Sequence, residues 1–145
     1  MLLTGSPQID AERAFSRAAR GRRFAALIRH LRGRAATCLE IYDERCLRRP
    51  AIPTPGIREI PVTAISGTLE PSRAAQFDEE FRPAPVARDR WKRVWMAEHL
   101  GKVLPPISVV PVGDRYALRD GHHRVSVAMA RGALTIDARL DDVGL

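Results

Sequence analysis

Residues 101–132 read "GKVLPPISVVPVGDRYALRDGHHRVSVAMARG" and contain three kinds of local signal in unbroken succession. "PPISVVPV" is rich in β-branched residues and reads as a strand. The "GD" pair at 113–114 then supplies a hairpin turn, and "RYALRD" reads as the partner strand. After Gly121 the period changes: Val125, Ala128, Met129 and Gly132 fall on one side of a short helix. A hairpin that feeds directly into a helix is therefore the expected centre of the domain. The final "TIDARL" reads as a last strand.

Upstream of this block, Arg88 to Leu100 reads as a helix with Trp91, Val94 and Trp95 along one side and Gly101 placed to end it. Tryptophans at helical spacing are read as core rather than as base-stacking platforms. "IREIPVTAI", from Ile57, alternates as a strand does, with Pro61 marking an edge or a bulge. "SGTLEPSRAAQFDEEFRPAPVA" reads mostly as loop. The expected fold class is α+β, a small mixed sheet with helices over residues 57–145.

A different texture precedes it. Residues 1–50 read as a basic helical N-terminal segment, and residues 51–56, within "PAIPTPG", read as a Pro-rich linker. Asp10 is a candidate N-cap before Ala11, Ala14, Phe15 and Ala18. Phe24, Leu27, Ile28 and Leu31 point to roughly the opposite side from Phe15, so a break or kink near Gly21 is expected. "TCLEIYDERCLRRP" reads as a second helix ended before Pro50.

The 145-residue chain carries a net charge of +7, with 24 Lys+Arg against 17 Asp+Glu. Residues 1–50 contribute +6 of this, all of their cations being arginine, while residues 51–145 contribute +1. A basic first third reads either as a solvated face or as a surface for nucleic acid or another anionic partner. No run approaches the roughly eighteen apolar residues of a membrane span, and the start lacks a secretory pattern, so the expected location is cytoplasmic with no membrane partner. The two cysteines, Cys38 and Cys46, match no zinc spacing and read as free, reduced thiols.

The glycine turn entering the last helix has a physical use. The first N–H groups of a helix lack internal partners and lie at the positive end of its dipole, which makes such a turn an anion site. Gly121 permits close backbone approach, and His123 and Arg124 add donors, the guanidinium fork suiting phosphate oxygens. Asp120 has three readings: cap of the helix, metal ligand, or acceptor of a hydroxyl proton. His122 and His123 diverge by about 100° on a helix and so do not chelate one ion between them. Neither Ser126 nor Cys38 has a local pattern that would activate it as a nucleophile.

From Ile57 onward, about 90 of the 145 residues, the chain resembles the ParB/sulfiredoxin superfamily: "IPVTAI", then a helix, then the 101–132 block. The turn is similar to the phosphate motif of ParB N-terminal domains, and closer to the Asp-Gly-His-His-Arg turn of free-serine kinases of the same superfamily. The resemblance implies that Gly121, His122, His123 and Arg124 surround the phosphates of a nucleotide (ATP, ADP or CTP) with Mg²⁺ assisting. His122 stands where sulfiredoxin has its catalytic cysteine, so sulfinic-acid reduction is not expected. His122 and His123 replace the Glu-Arg of typical ParB, which speaks against a CTP clamp. Only 13 residues follow Gly132, so no helix-turn-helix is expected after the motif. A kinase-like reaction needs a base for the acceptor hydroxyl, for which Glu70 and Asp120 are the candidates; Arg73 shares the loop of Glu70. Two functions follow: nucleotide binding with phosphoryl transfer or NTP hydrolysis, and a non-catalytic module that binds nucleic acid or protein through its basic N-terminal helices.

Overall fold

The structure, a computed structural model, describes residues 5–47 and 56–141. It is α+β: an N-terminal helix and three further helices with one six-stranded mixed sheet. In chain order the elements are α1 (Pro7–Leu31), β1 (Glu40–Ile41), β2 (Gly56–Pro61), β3 (Ile65–Thr68), α2 (Pro71–Ala74), α3 (Arg88–His99), β4 (Ile107–Val112), β5 (Arg115–Asp120), α4 (His122–Ala130) and β6 (Thr135–Leu140). Across the sheet the order is β1-β3-β5-β4-β6-β2.

The hairpin β4–β5 is antiparallel with Val112 opposite Arg115, so Gly113 and Asp114 form its two-residue turn, as expected for a Gly-containing pair. On one side of it β5 pairs in parallel with β3, and β3 with β1; on the other, β4 pairs in parallel with β6. β2 closes that edge antiparallel to β6, which is where Pro61, lacking an N–H, costs no ladder bond. The loop expected after Ile65 contains β3 and the single-turn α2. β3 escapes sequence reading because "ISGT" is short and its pairing partners lie about 50 residues away in β5.

Three readings of the N-terminal segment are corrected. α1 starts at Pro7 after Ser6, one turn earlier than Asp10 suggests, and Asp10 is buried within its first turn. No break occurs at Gly21: a mid-helix glycine costs only about 1 kcal/mol, and α1 runs on with its second apolar side in solvent, Phe24 at 66% and Leu31 at 72% exposure. "TCLEIYDERCLRRP" is not a helix. Its described part forms β1 and a single 3₁₀ turn at Glu44–Cys46, because the backbone finds a tertiary partner: the Tyr42 N–H donates to the Thr68 carbonyl at 2.8 Å. Gly67 makes that approach possible, since a Cβ there would lie 2.4 Å from the Glu40 carbonyl oxygen. The linker expected at 51–56 lies outside the described residues except for Gly56, which opens β2.

α1 and the sheet contribute to one core. Ala11, Phe15 and Ala19 from α1 pack with Trp91 and Trp95 of α3, Val125 of α4, and Ile107 and Leu118 of the hairpin. Both tryptophans are buried, as their spacing predicts; Trp91 meets Phe15 edge-on at 5.6 Å between centroids and donates from Nε1 to Ser126 Oγ at 2.8 Å. Glu12 of α1 accepts from Arg88 and Lys92 of α3, both at 2.6 Å, fixing the two helices side by side. No helix among the described residues is long and apolar enough to cross a membrane.

Candidate functional site

The junction of β5 and α4 is built on Gly121. Its φ of 107° lies in the left-handed region, and a Cβ added there would sit 2.5 Å from Ile107 Cγ2 and 2.9 Å from Ile107 Cβ. Both backbone conformation and space therefore demand glycine. The first bond of α4 runs from the Val125 N–H to the Gly121 carbonyl at 3.0 Å, and no side chain caps the helix. The leading N–H groups of His122, His123 and Arg124 thus lie uncapped at the positive dipole end.

The two histidines are packed, at 4% and 5% exposure. Phe77 stacks on His122 at 6.4 Å between ring centroids and meets His123 edge-on at 5.2 Å. His122 Nε2 lies 2.7 Å from Thr68 Oγ1, a buried hydroxyl that also accepts from the Glu70 N–H at 2.8 Å and lies 3.3 Å from the Leu118 carbonyl. That hydroxyl has one proton. If it goes to Leu118, His122 donates from Nε2; if it goes to His122, Nε2 accepts, and the tautomer follows. Thr68 so ties the end of β3 to the start of α4 across the parallel pair β3–β5.

Both imidazoles are held neutral at physiological pH. His122 is pushed down to about 4 by burial and then by the charges of Arg73 and His123, with Asp120 opposing and Arg90 adding a smaller effect. His123 is pushed down to about 4 by burial and by Arg90, Arg73 and Arg93. The positive field at the turn therefore comes from arginines and the helix end rather than from imidazolium.

Arg124 takes a different role from the one its position in the motif suggests. It is 16% exposed by side chain, and its guanidinium donates to the carbonyls of Pro105 at 2.5 Å and Pro106 at 3.0 Å and to Asp120 Oδ2 at 3.1 Å. Its charge is spent on fixing the loop that enters β4. The Asp120 carboxylate, 71% exposed, pairs with Arg124 rather than capping α4. Glu70 precedes α2 with its side chain exposed, and only its backbone N–H joins the Thr68 cluster.

Arg90 and Arg93 are the residues that sequence reading missed. α3 carries four cations close together, of which Arg88 and Lys92 are held by Glu12. Arg90 and Arg93, like Arg73 of α2, form no ion pair among the described residues, and their charges act on the histidine pair. The available signal was the excess of cations over local acids in "RDRWKR". Ser126 is placed structurally, its hydroxyl donating to the Phe81 carbonyl while it accepts from Trp91. Cys38 and Cys46 are exposed and unpaired. Among the described residues, no group of three His, Cys, Asp or Glu is arranged to hold a metal ion.

The residues fit a phosphate group: an uncapped helix start after a left-handed glycine, and three arginines without carboxylate partners among the described residues. For Mg²⁺ they offer the exposed carboxylates of Asp120 and Glu70 rather than a preformed cage. No protein-family model and no curated protein matches this sequence. Among solved structures, the sulfiredoxin from Arabidopsis thaliana is similar over 60% of this chain and 85% of its own, with a TM-score of 0.44 and 21% sequence identity.

Proposed function

We propose that the β5–α4 turn binds the phosphates of a nucleotide, with the N–H groups of His122, His123 and Arg124 as the cradle. The observation that carries this reading is the uncapped start of α4 at a position where only glycine fits, within the field of Arg73, Arg90 and Arg93. These three arginines take the charge-neutralising part that the motif would have given to Arg124. Neutral His123 contributes packing and at most one N–H donor.

Phosphoryl transfer or slow hydrolysis is the extension of this reading. An acceptor hydroxyl or water would attack the terminal phosphorus, the nucleoside diphosphate would leave, and Glu70 or Asp120 would take the acceptor's proton. Mg²⁺ arriving with the nucleotide would draw on the same carboxylates and neutralise charge on the phosphate oxygens. Isothermal titration with ATP, ADP and CTP, with and without Mg²⁺, tests binding. Affinity that falls at least tenfold in the Arg90→Gln/Arg93→Gln double variant supports the reading; no heat with any nucleotide removes it.

A second reading, a non-catalytic module for nucleic acid or a protein, is favoured by the exposed Phe24, Leu27 and Leu31 on the arginine-rich α1. Steep loss of DNA binding with added salt would support it over the first.

A further inference from the structure

A wide cleft lies along the C-terminal half of α4, beyond the histidine pair. It encloses about 1050 Å³ between α1, the C-terminal ends of α3 and α4, the start of β3 and the 79–83 loop. The cleft is lined along α4 from Ser126 to Ala130, so by helical rise its near edge lies roughly 6 Å along the axis from His122 at the β5–α4 turn. The volume is at the upper end of the range of roughly 300–1,000 Å³ typical of small-molecule sites.

Its walls combine an apolar interior with unmatched positive charge. Ala14, Ala18 and Gly21 give α1 a stripe of small residues beside Arg17, and Phe81, Trp95 and Met129 line the cleft from the other elements. Two ion pairs at the rim cancel and Arg82 is held by two carboxylates, so that with Arg17 and Arg115 the rim carries a net charge of +1. Glu80 and Asp78 hold Arg82; Glu79 lies 3.9 Å from Arg29; Arg131 pairs with Glu98 at 3.5 Å and lies over the Trp95 ring at 5.4 Å. Arg17 and Arg115 are left over. Arg115 donates to the Thr63 carbonyl at 2.9 Å, and neither has a carboxylate partner among the described residues.

We propose that this cleft is a second binding site, independent of the nucleotide reading, for a small amphipathic organic anion. Its apolar body lies along Ala14, Ala18 and Gly21, and its acidic group is neutralised by Arg17 and Arg115. An apolar body gains from leaving water, while the arginines select against a cation of the same shape.

The test uses the fluorescent anion 8-anilinonaphthalene-1-sulfonate on the full chain. Four variants separate the possible sites. Gly21→Leu fills the cleft: a Cβ at Gly21 meets Arg82 Cδ at 3.6 Å, an ordinary contact, and leucine is the better helix former. Arg17→Gln/Arg115→Gln removes the charge, Phe24→Ser removes the aromatic ring from the exposed apolar side of α1, and Arg90→Gln/Arg93→Gln weakens the β5–α4 turn. The expected result is one saturable site whose Kd rises at least tenfold in Gly21→Leu and in the Arg17/Arg115 variant, and is unchanged in Phe24→Ser and in Arg90→Gln/Arg93→Gln, which weakens the β5–α4 turn. Displacement by 4-phenylbutyrate and not by 4-phenylbutylamine is also expected. The proposal is overturned by absence of saturable binding, by affinity that depends on Phe24 or on Arg90 and Arg93 instead, or by equal displacement by the amine. Should Gly21→Leu fail to fold by circular dichroism, the Arg17/Arg115 variant and the amine control decide.

Discussion

Replacing Gly121 by alanine perturbs the candidate site at its most constrained point, and the structure sets the cost. A left-handed conformation costs an L-residue about 1–2 kcal/mol. The new Cβ would also press on Ile107, whose Cγ2 lies 2.5 Å and whose Cβ lies 2.9 Å away. Rotating χ1 of Ile107 moves the methyl but not the Cβ, and the residue is fully buried, so part of the clash must be relieved by the backbone. Overpacking of this kind costs about 1–3 kcal/mol, giving a total of about 2–5 kcal/mol. For a chain of this length that is a fall in Tm of about 6–15 °C. Urea unfolding of Gly121→Ala, Ile107→Ala and the double variant isolates the steric part. Ile107→Ala removes the clashing Cγ2 but keeps the Cβ, so the double variant should lose about 1 kcal/mol less than the sum of the singles. Strict additivity, or a loss below about 1 kcal/mol in Gly121→Ala, would refute the packing argument.

The histidine pair predicts a pH dependence. Both folded-state values are lowered from 6.5 to about 4, so the unfolded chain binds protons first and stability falls as pH drops from about 6.5 to 4, with little change above 7. Unfolding at pH 8, 6 and 4.5 should show the slope, and a His122→Gln/His123→Gln variant should flatten it; NMR titration of the His122 or His123 imidazole near 6.5 in the folded protein would contradict it. Ser126→Ala leaves the buried Trp91 N–H and the Phe81 carbonyl without their shared partner, a loss of about 1–3 kcal/mol in a thermal melt. No measurable change would mean that these groups find other partners. Gly67→Ala places a Cβ against the Glu40 carbonyl oxygen and should detach β1, seen as faster hydrogen exchange at the Tyr42 amide while the β4–β5 amides stay protected. Unchanged exchange at Tyr42 would show that the edge strand tolerates the methyl group.

The 101–132 block was legible because each of its signals is local: β-branched strands, a two-residue turn, a glycine, then helical spacing. β1 was not, because two residues become a strand only by meeting β3, and "TCLEIYDERCLRRP" taken alone satisfies helical spacing. α1 was legible as a helix but not in its course, since nothing in "GRRFAALIRHL" states that Phe24 and Leu31 will face solvent. The site divides along the same line. Gly121 and the histidines announce a turn that enters a helix, and the structure adds why glycine is required there. The role of Arg124 depends on the Pro105 and Pro106 carbonyls, brought to it by the β4–β5 pairing rather than by sequence spacing. Arg90 and Arg93 act on the turn because α3 packs in the same core as α4, a long-range relation that no local pattern encodes.

Amide chemical shifts would locate the proposed phosphate site. In a ¹⁵N-labelled sample titrated with ADP and Mg²⁺, the largest saturable shifts should fall on the amides of His122, His123 and Arg124, and Arg90→Gln/Arg93→Gln should weaken the titration at least tenfold. Saturable shifts confined to α1, or none at all, would contradict the assignment of the β5–α4 turn as a phosphate cradle.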